Sequence, residues 1–248
     1  KKFALAVTHD VDHPEIHRVY DSIRFFKRLN NQMKRDLKSK ESFWKFRDWI
    51  NLEASLGLKS AFYFCPRKGN VLDYILFRLG FNRPPDPIYD IKDEKYKEVI
   101  NLIKSSGFEV GLHASYNSHF SSKNFSSEKE KLEFFAKDKV FGVRHHYWNL
   151  GSRKYQTFLF HQTAGLKYDC SLAFPTNTGF RNLISTPFKL YSKDKSRELK
   201  LWELPTSFMD DHLFGYFKEN GNSKQYEIDS LVKSVVDSEG ILCIDFHV

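Results

Sequence analysis

Cysteine is scarce, and its spacing forms no pairs: Cys65, Cys170 and Cys243 are the only three and lie far apart in the chain. An odd count without a Cys-x-x-Cys pair argues against a disulfide framework and a cysteine-type zinc site. Each thiol sits within or just after an apolar, strand-like run. Buried, reduced cysteines are therefore expected, which points to a cytoplasmic protein. Long hydrophobic runs are missing as well, and no stretch approaches the roughly 20 apolar residues of a membrane span. Lys1-Lys2 leads straight into a strand-like segment, so no signal peptide is expected, and with no initiating Met the chain is read as starting inside a longer one. Repeats and low-complexity tracts are also lacking. The net charge of +8 is spread along the chain, and its densest patch, Lys34, Arg35, Lys38 and Lys40, carries no zinc-finger or RNP-like pattern. Nucleic acid is not an expected partner.

What is present suits a sizeable α/β core. The 248 residues are 41% hydrophobic and 28% charged, with 24 Phe among the aromatics, as expected of one domain spanning 1–248 with a Phe-built interior. Short apolar runs recur at Phe3–Val7, Ser60–Phe64, Phe108–Leu112, Val140–Val143, Leu166–Tyr168, Leu201–Leu204 and Ile241–Phe246. Between them, Phe43–Leu56, Asp93–Ser106, Ser152–Ala164 and Gln225–Ser238 carry helical periodicity and stop at or just before Gly57, Gly107, Gly165 and Gly240. Strands alternating with helices predict a parallel sheet, and this number of strands a closed or nearly closed barrel. Two insertions interrupt the alternation. One is a basic, polar stretch at about 14–42; the other, at about 68–90, contains Pro84-Pro85-Asp86-Pro87 and reads as a surface loop.

The stretch Thr8-His9-Asp10-Val11-Asp12-His13 puts four ionisable side chains at the end of a buried strand. Unpaired charges there would be destabilising, so a cation or a partner must neutralise them. Asp10 and Asp12 are two residues apart and share a strand face, one able to hold a metal and one to handle a proton. Capping of a following helix is the competing reading of the pair. The other strand ends are as rich: His113 with Tyr116, Asn117 and His119; Arg144 with His145, His146 and Tyr147; Asp169 and Ser171; Asp210, Asp211 and His212; and Asp245 with His247. Catalytic residues of α/β barrels gather at the carboxyl ends of the strands, so this concentration favours a metal-assisted site over capping.

These segments resemble, in order, the motifs of the polysaccharide deacetylase (NodB-like, carbohydrate esterase 4) family: Thr8-His9-Asp10-Val11-Asp12, Gly111-Leu112-His113-Ala114-Ser115-Tyr116, Gly142-Val143-Arg144-His145-His146-Tyr147 with Tyr168-Asp169-Cys170-Ser171, Leu201-Trp202-Glu203-Leu204-Pro205, and Ile244-Asp245-Phe246-His247. Gly179-Phe180-Arg181 and Met209-Asp210 resemble a divergent branch associated with surface polysaccharide gene clusters. The resemblance implies a distorted (β/α)7 barrel and metal-dependent removal of an acetyl group from an N-acetylated sugar, in polysaccharide or glycolipid biosynthesis. It also implies roles. Asp10 would be the general base, oriented and kept ionised by Arg144; Asp12 and His113 would hold a divalent metal; His247 would protonate the leaving amine and steady the oxyanion. Oxygen and imidazole ligands fit zinc best, with cobalt, nickel or iron as alternatives.

The chain departs from the family at two motif positions. Where the second motif has a histidine four residues after the first, this sequence has Asn117. His146 is the preferred third ligand, with His119, His13 and Asn117 itself behind it. His9 replaces the usual Phe and is expected to be a hydrogen-bonded neighbour of the site. Asp210 and Asp211 are candidates to orient His247, and Tyr116, Tyr147, Trp148 and Trp202 to stack on sugar rings. Two rival functions stay open: another metal-dependent amide hydrolase on the same barrel, and a non-catalytic carbohydrate-binding derivative whose metal site is eroded at Asn117.

Overall fold

The computed structural model describes residues 2–15, 44–81, 84–192, 195–214 and 224–248. The basic patch at Lys34–Lys40 and nearly all of the first insertion lie outside the described residues. A nine-stranded sheet organises the chain. Its strands are β1 (Ala4–Val11), β2 (Ala61–Phe64), β3 (Glu109–Ala114), β4 (Gly142–His145), β5 (Tyr168–Asp169), β6 (Phe188–Ser192), β7 (Arg197–Glu203), β8 (Thr206–Met209) and β9 (Ile241–His247). They run in the order β6-β7-β5-β4-β3-β2-β1-β9-β8, and every pairing except β6 with β7 is parallel. Among the described residues the α-helices are α1 (Phe46–Ser55), α2 (Val71–Arg78), α3 (Glu94–Ser105), α4 (Ser122–Ala136), α5 (Lys154–Thr163), α6 (Asp210–Phe214) and α7 (Lys224–Ser238).

The sheet is curled into a distorted barrel, and one short link shows why. β7 and β8 lie near opposite ends of the strand order, yet only Leu204 and Pro205 separate them in the chain. Three Cα steps span at most about 11 Å, so the two ends of the sheet must come together. Thr206 Oγ1 donates to the Cys170 carbonyl at 3.0 Å across this seam.

The period of two along each strand then sorts side chains to the barrel interior or to the helices. Thr8, Asp10 and Asp12 share the inward face with Tyr63, His113, Arg144, Cys170, Cys243, Asp245 and His247. His9, Val11, Phe62, Phe64, Leu112 and Val143 face outward, where α1, α3, α4 and α5 cover them with Phe46, Ile50, Tyr96, Val99, Ile100, Ile103, Phe125, Leu132 and Phe158. Inside, Gly142 makes room for an aromatic ring: a Cβ there would fall 2.2 Å from Cζ of Tyr168. Tyr168 donates to Glu109 Oε1 at 2.8 Å and receives Tyr63 Oη at 3.3 Å.

Several sequence expectations are adjusted. β6 and β8 were not expected; β6 is an edge strand whose exposed positions alternate with buried ones, and β8 is hidden behind Pro205 and two hydroxyl residues. α4 was also not expected, because its sequence is dominated by Ser, Lys and Glu, with Phe125, Leu132 and Ala136 as its buried apolar contacts. The second insertion is not only a loop, since it contains α2, N-capped by Asn70 at 2.9 Å to the Leu72 amide. Gly57, Gly107 and Gly165 end their helices with φ of 71°, 77° and 83°, whereas after α7 the left-handed residue is Glu239 at φ 53°. Gly240 serves a close approach instead, a Cβ there lying 2.2 Å from Ser185 Oγ.

Gly142→Ala overpacks the barrel interior against Tyr168. Urea unfolding should show a loss of about 1–3 kcal/mol in stability, the usual penalty of a filled core position that cannot relax.

Candidate metal centre and active site

At the carboxyl end of the barrel, Asp12, His113 and His146 bring one ligand atom each within 4.8 Å of the others, and Asp10, Asp245 and His247 form a neighbouring group by the same measure. Asp12 follows β1, His113 is the fifth residue of β3, and His146 begins the turn that leaves β4. His113 Nε2 lies 3.1 Å from Asp12 Oδ1, and His146 Nε2 3.5 Å from Asp12 Oδ2. His113 Nε2 and Asp12 Oδ1 are nonetheless buried without a hydrogen bond. Two orphaned polar atoms this close are aimed past each other, which is the arrangement expected of ligands facing a common ion. The far sides of both rings are held: His113 Nδ1 lies 3.1 Å from the Arg144 carbonyl and His146 Nδ1 lies 3.4 Å from Asp86 Oδ1. The first contact makes Nδ1 of His113 a donor and leaves Nε2 facing Asp12. A carboxylate and two imidazoles with these supports fit a divalent metal of the zinc type.

Charges around this group are strongly tuned. Burial disfavours the Asp12 carboxylate, but the His146 and His113 rings outweigh it and hold its carboxyl well below the usual range. Burial likewise favours a neutral His146, and Asp12 and Asp86 overcome it, pushing the metal-free ring up to about 9.

Beside this group, Arg144 is fully buried. Its Nη1 donates to Asp10 Oδ1 at 2.9 Å and to Asp245 Oδ1 at 2.6 Å, and its Nη2 to Thr8 Oγ1 at 2.7 Å. The guanidinium also sits 4.9 Å from the Tyr63 ring and 5.1 Å from the Trp148 ring. Burial, with Asp10 adding to it and Arg144 opposing, pushes the Asp245 carboxyl well up. Arg144 is thus shared by the carboxyl groups of Asp10 and Asp245. His247 Nδ1 lies 2.6 Å from Asp210 Oδ1, and Asp210 Oδ2 accepts the His247 amide at 3.0 Å. Burial favours neutral imidazole, but the Asp210 hydrogen bond and the charges of Asp245, Asp210 and Asp12 outweigh it, so the His247 ring is pushed well up.

Other candidates are placed elsewhere. His119 is not in either group; its Nδ1 lies 3.0 Å from the Tyr116 carbonyl and its ring packs 4.0 Å from Phe120. His13 is half-buried and outside both groups. Asn117 precedes the short turn at Ser118–Phe120 and makes no side-chain capping bond to it. His9 does not neighbour the Asp12, His113 and His146 group: it faces α1, bonded at 2.7 Å to Glu53 and stacked at 4.4 Å on Phe62. Asp210 reaches His247, whereas Asp211 is exposed. Of the aromatics, Tyr147 is 50% exposed beside His146 and Tyr116. Trp148 is buried beneath Arg144, and Trp202 borders a separate hollow with Lys167, Tyr168, Pro187 and Leu204. Tyr147 and Trp148 are both left-handed, at φ 56° and 55°; that turn leaves Tyr147 half-exposed and Trp148 buried against Arg144.

Sequence reasoning overlooked Asp86, which also accepts the Tyr116 amide at 2.6 Å and lies 3.6 Å from Arg67. It is placed where the two ends of the second insertion meet: a Cβ on Gly69 would fall 1.9 Å from the Asp86 carbonyl oxygen. The available signal was a single carboxylate between Pro85 and Pro87. Thr8 and Thr206 went unassigned too, being ordinary strand residues until Arg144 is placed between them.

Comparison with known proteins agrees with this architecture. No curated protein matches the chain. Among solved structures, one assigned to the polysaccharide deacetylases from Mycobacterium smegmatis aligns over 100% of this chain and 77% of its own, with 16% identity and a TM-score of 0.58. Another so assigned, from Pseudomonas aeruginosa PAO1, covers 99% of this chain and 78% of its own at 10% identity and a TM-score of 0.56. At such identities the likeness is one of fold. The family model described as WbmS-like polysaccharide deacetylase matches residues 94–248, well over half of the sequence. That stretch contains His113, Arg144, His146, Asp210 and His247, and the chain belongs to the WbmS-like polysaccharide deacetylase family.

Proposed function

We propose that the protein is a metal-dependent deacetylase that releases acetate from an N-acetylated sugar in the biosynthesis of a cell-surface polysaccharide or glycolipid. The carrying observation is the pair of buried, unbonded ligand atoms, Asp12 Oδ1 and His113 Nε2, 3.1 Å apart and joined by His146. Asp12, His113 and His146 would hold the ion, zinc by the donor set, with His146 taking the part that Asn117 cannot. Bound there, the metal would polarise the amide carbonyl and acidify a water.

The rest of the chemistry belongs to the chain. Asp10, fixed by Arg144, takes the proton from the attacking water as its oxygen bonds to the acetyl carbon. His247, kept protonated by Asp210, donates to the tetrahedral oxyanion and then gives its proton to the nitrogen as the C–N bond breaks. Acetate and a free amino sugar result. Tyr147, half-exposed at the rim, offers a ring face to the sugar. Three buried cysteines without disulfides support action in the cytoplasm.

The reading is tested by metal content and acetate release together. Purified protein should carry near-stoichiometric zinc and release acetate from N-acetylated oligosaccharides. His113→Ala and His146→Ala should lose both, and His119→Ala neither. No metal in the wild type after reconstitution would overturn the proposal. Metal affinity should also depend on pH with a definite sign. Metal-free His146 holds a proton up to about 9 and must release it to become a ligand. Apparent zinc affinity, measured by chelator competition, should therefore climb about tenfold per pH unit toward that value and then flatten. For His247 the protonated form is the active one, and Asp210 raises its pKa. Asp210→Asn should move the basic limb of the kcat/KM profile to lower pH while leaving metal content unchanged.

A further inference from the structure

A second buried polar assembly lies on the outward face of β4, where the proposed chemistry does not reach. His145 Nε2 lies 2.8 Å from His161 Nε2 on α5, and the two rings stack at 5.0 Å. His161 Nδ1 approaches Asp169 Oδ2 to 3.0 Å, an ion-pair contact outside hydrogen-bond geometry. Asp169 accepts both the amide of Ser171, at 2.7 Å, and its hydroxyl, at 3.0 Å. Ser171 Oγ in turn accepts the backbone N–H of His145 at 2.9 Å. The chain of contacts thus starts at the side chain of residue 145 and returns to its own backbone. His145, His161, Asp169 and Ser171 are each no more than 1% exposed, and Phe125 stacks on both imidazoles. With the two Nε2 atoms 2.8 Å apart, one imidazole donates to the other.

Such a circuit of buried polar contacts is weak evidence for stability, since apolar side chains of similar volume often pack as well without desolvating polar groups. What it adds is geometric definition of one peptide. Residue 145 stands between Arg144, which holds Asp10 and whose carbonyl fixes His113, and His146, which faces Asp12. The chain then enters two left-handed residues, each strained by about 1–2 kcal/mol and dependent on its surroundings. His146 itself has one long outer contact, 3.4 Å to Asp86. A donor at the end of a strand, rather than one turn along a helix, needs its backbone held from behind.

We propose that His161 and Asp169 are positioning residues that, through the ring closed on His145, set the backbone from which Arg144 and the metal ligand His146 project. The inference rests on reading Asp12, His113 and His146 as the metal site.

The test uses the full chain with zinc and cobalt(II) as probes. His161→Phe fills the space and removes the ring, and His161→Gln restores one polar partner. His161→Phe should weaken zinc binding about 10–100-fold, as loss of an outer partner of a ligand does, and should alter the visible spectrum of the cobalt(II) form. His161→Gln should recover part of both. A purely structural role would lower the melting temperature of the metal-free protein and leave the affinity and spectrum of the folded protein as in the wild type, and that result overturns the proposal. Asp169→Asn, nearly isosteric, serves if His161→Phe does not fold; wild-type affinity and spectrum there overturn it equally. If the wild type binds neither ion, the metal reading fails by itself. The positioning claim is then read from the metal-free His146 imidazole 15N resonances, which should move in His161→Phe; unmoved resonances overturn it.

Discussion

A single buried cation at the centre of the barrel constrains nearly everything around it. Arg144 has no access to water, so its charge must be met inside the protein. Asp10, Asp245, Thr8, Thr206 and the Cys170 carbonyl meet it, drawn from β1, β9, β8 and the end of β5. Those strands can converge on one guanidinium only if the sheet curls, and removal of a partner from such a pair leaves an uncompensated charge worth about 3–5 kcal/mol. The same contacts aim Asp10. Structural need and the orientation of the Asp10 carboxylate are therefore served by one side chain.

Around that centre the two faces of β4 divide the labour. Inward, Gly142 and Arg144 make room for Tyr168 and anchor Asp10. Outward, His145 enters the buried polar ring with His161, Asp169 and Ser171. His146, the next residue, leaves the strand and faces Asp12. The substitution of Asn117 for a family histidine thus coincides with a heavily braced strand end that carries an imidazole of its own. Two carboxyl groups of unlike environment accompany it: Asp12, pulled well down by the His146 and His113 rings, and Asp245, pushed up by burial.

The insertions show how far a segment can be read from composition. The stretch after β2 contains prolines and apolar residues, which pattern reasoning assigns to a surface loop. Its contribution to the site is Asp86, delivered by the crossing of Gly69 with Asp86 and Pro87, a contact no local pattern encodes.

Alternation along short strands, helices closed by Gly57, Gly107 and Gly165, and charged residues gathered at strand ends were legible from the sequence alone. They suffice for the fold class and for the inward pairing of Asp10 with Asp12, because both follow from local geometry with a period of two or 3.6. The short strands β6 and β8 and the polar helix α4 were not, since their identity comes from neighbours rather than from their own hydrophobicity. The sequence preferred His146 over His119, His13 and Asn117 but could not place it beside Asp12, nor separate His9, which turns toward α1, from the site residues beside it. Those assignments depend on which strands are adjacent and how the turn after β4 reverses. Distances between residues more than a hundred positions apart, such as Arg144 and Asp10, are set only when the sheet closes.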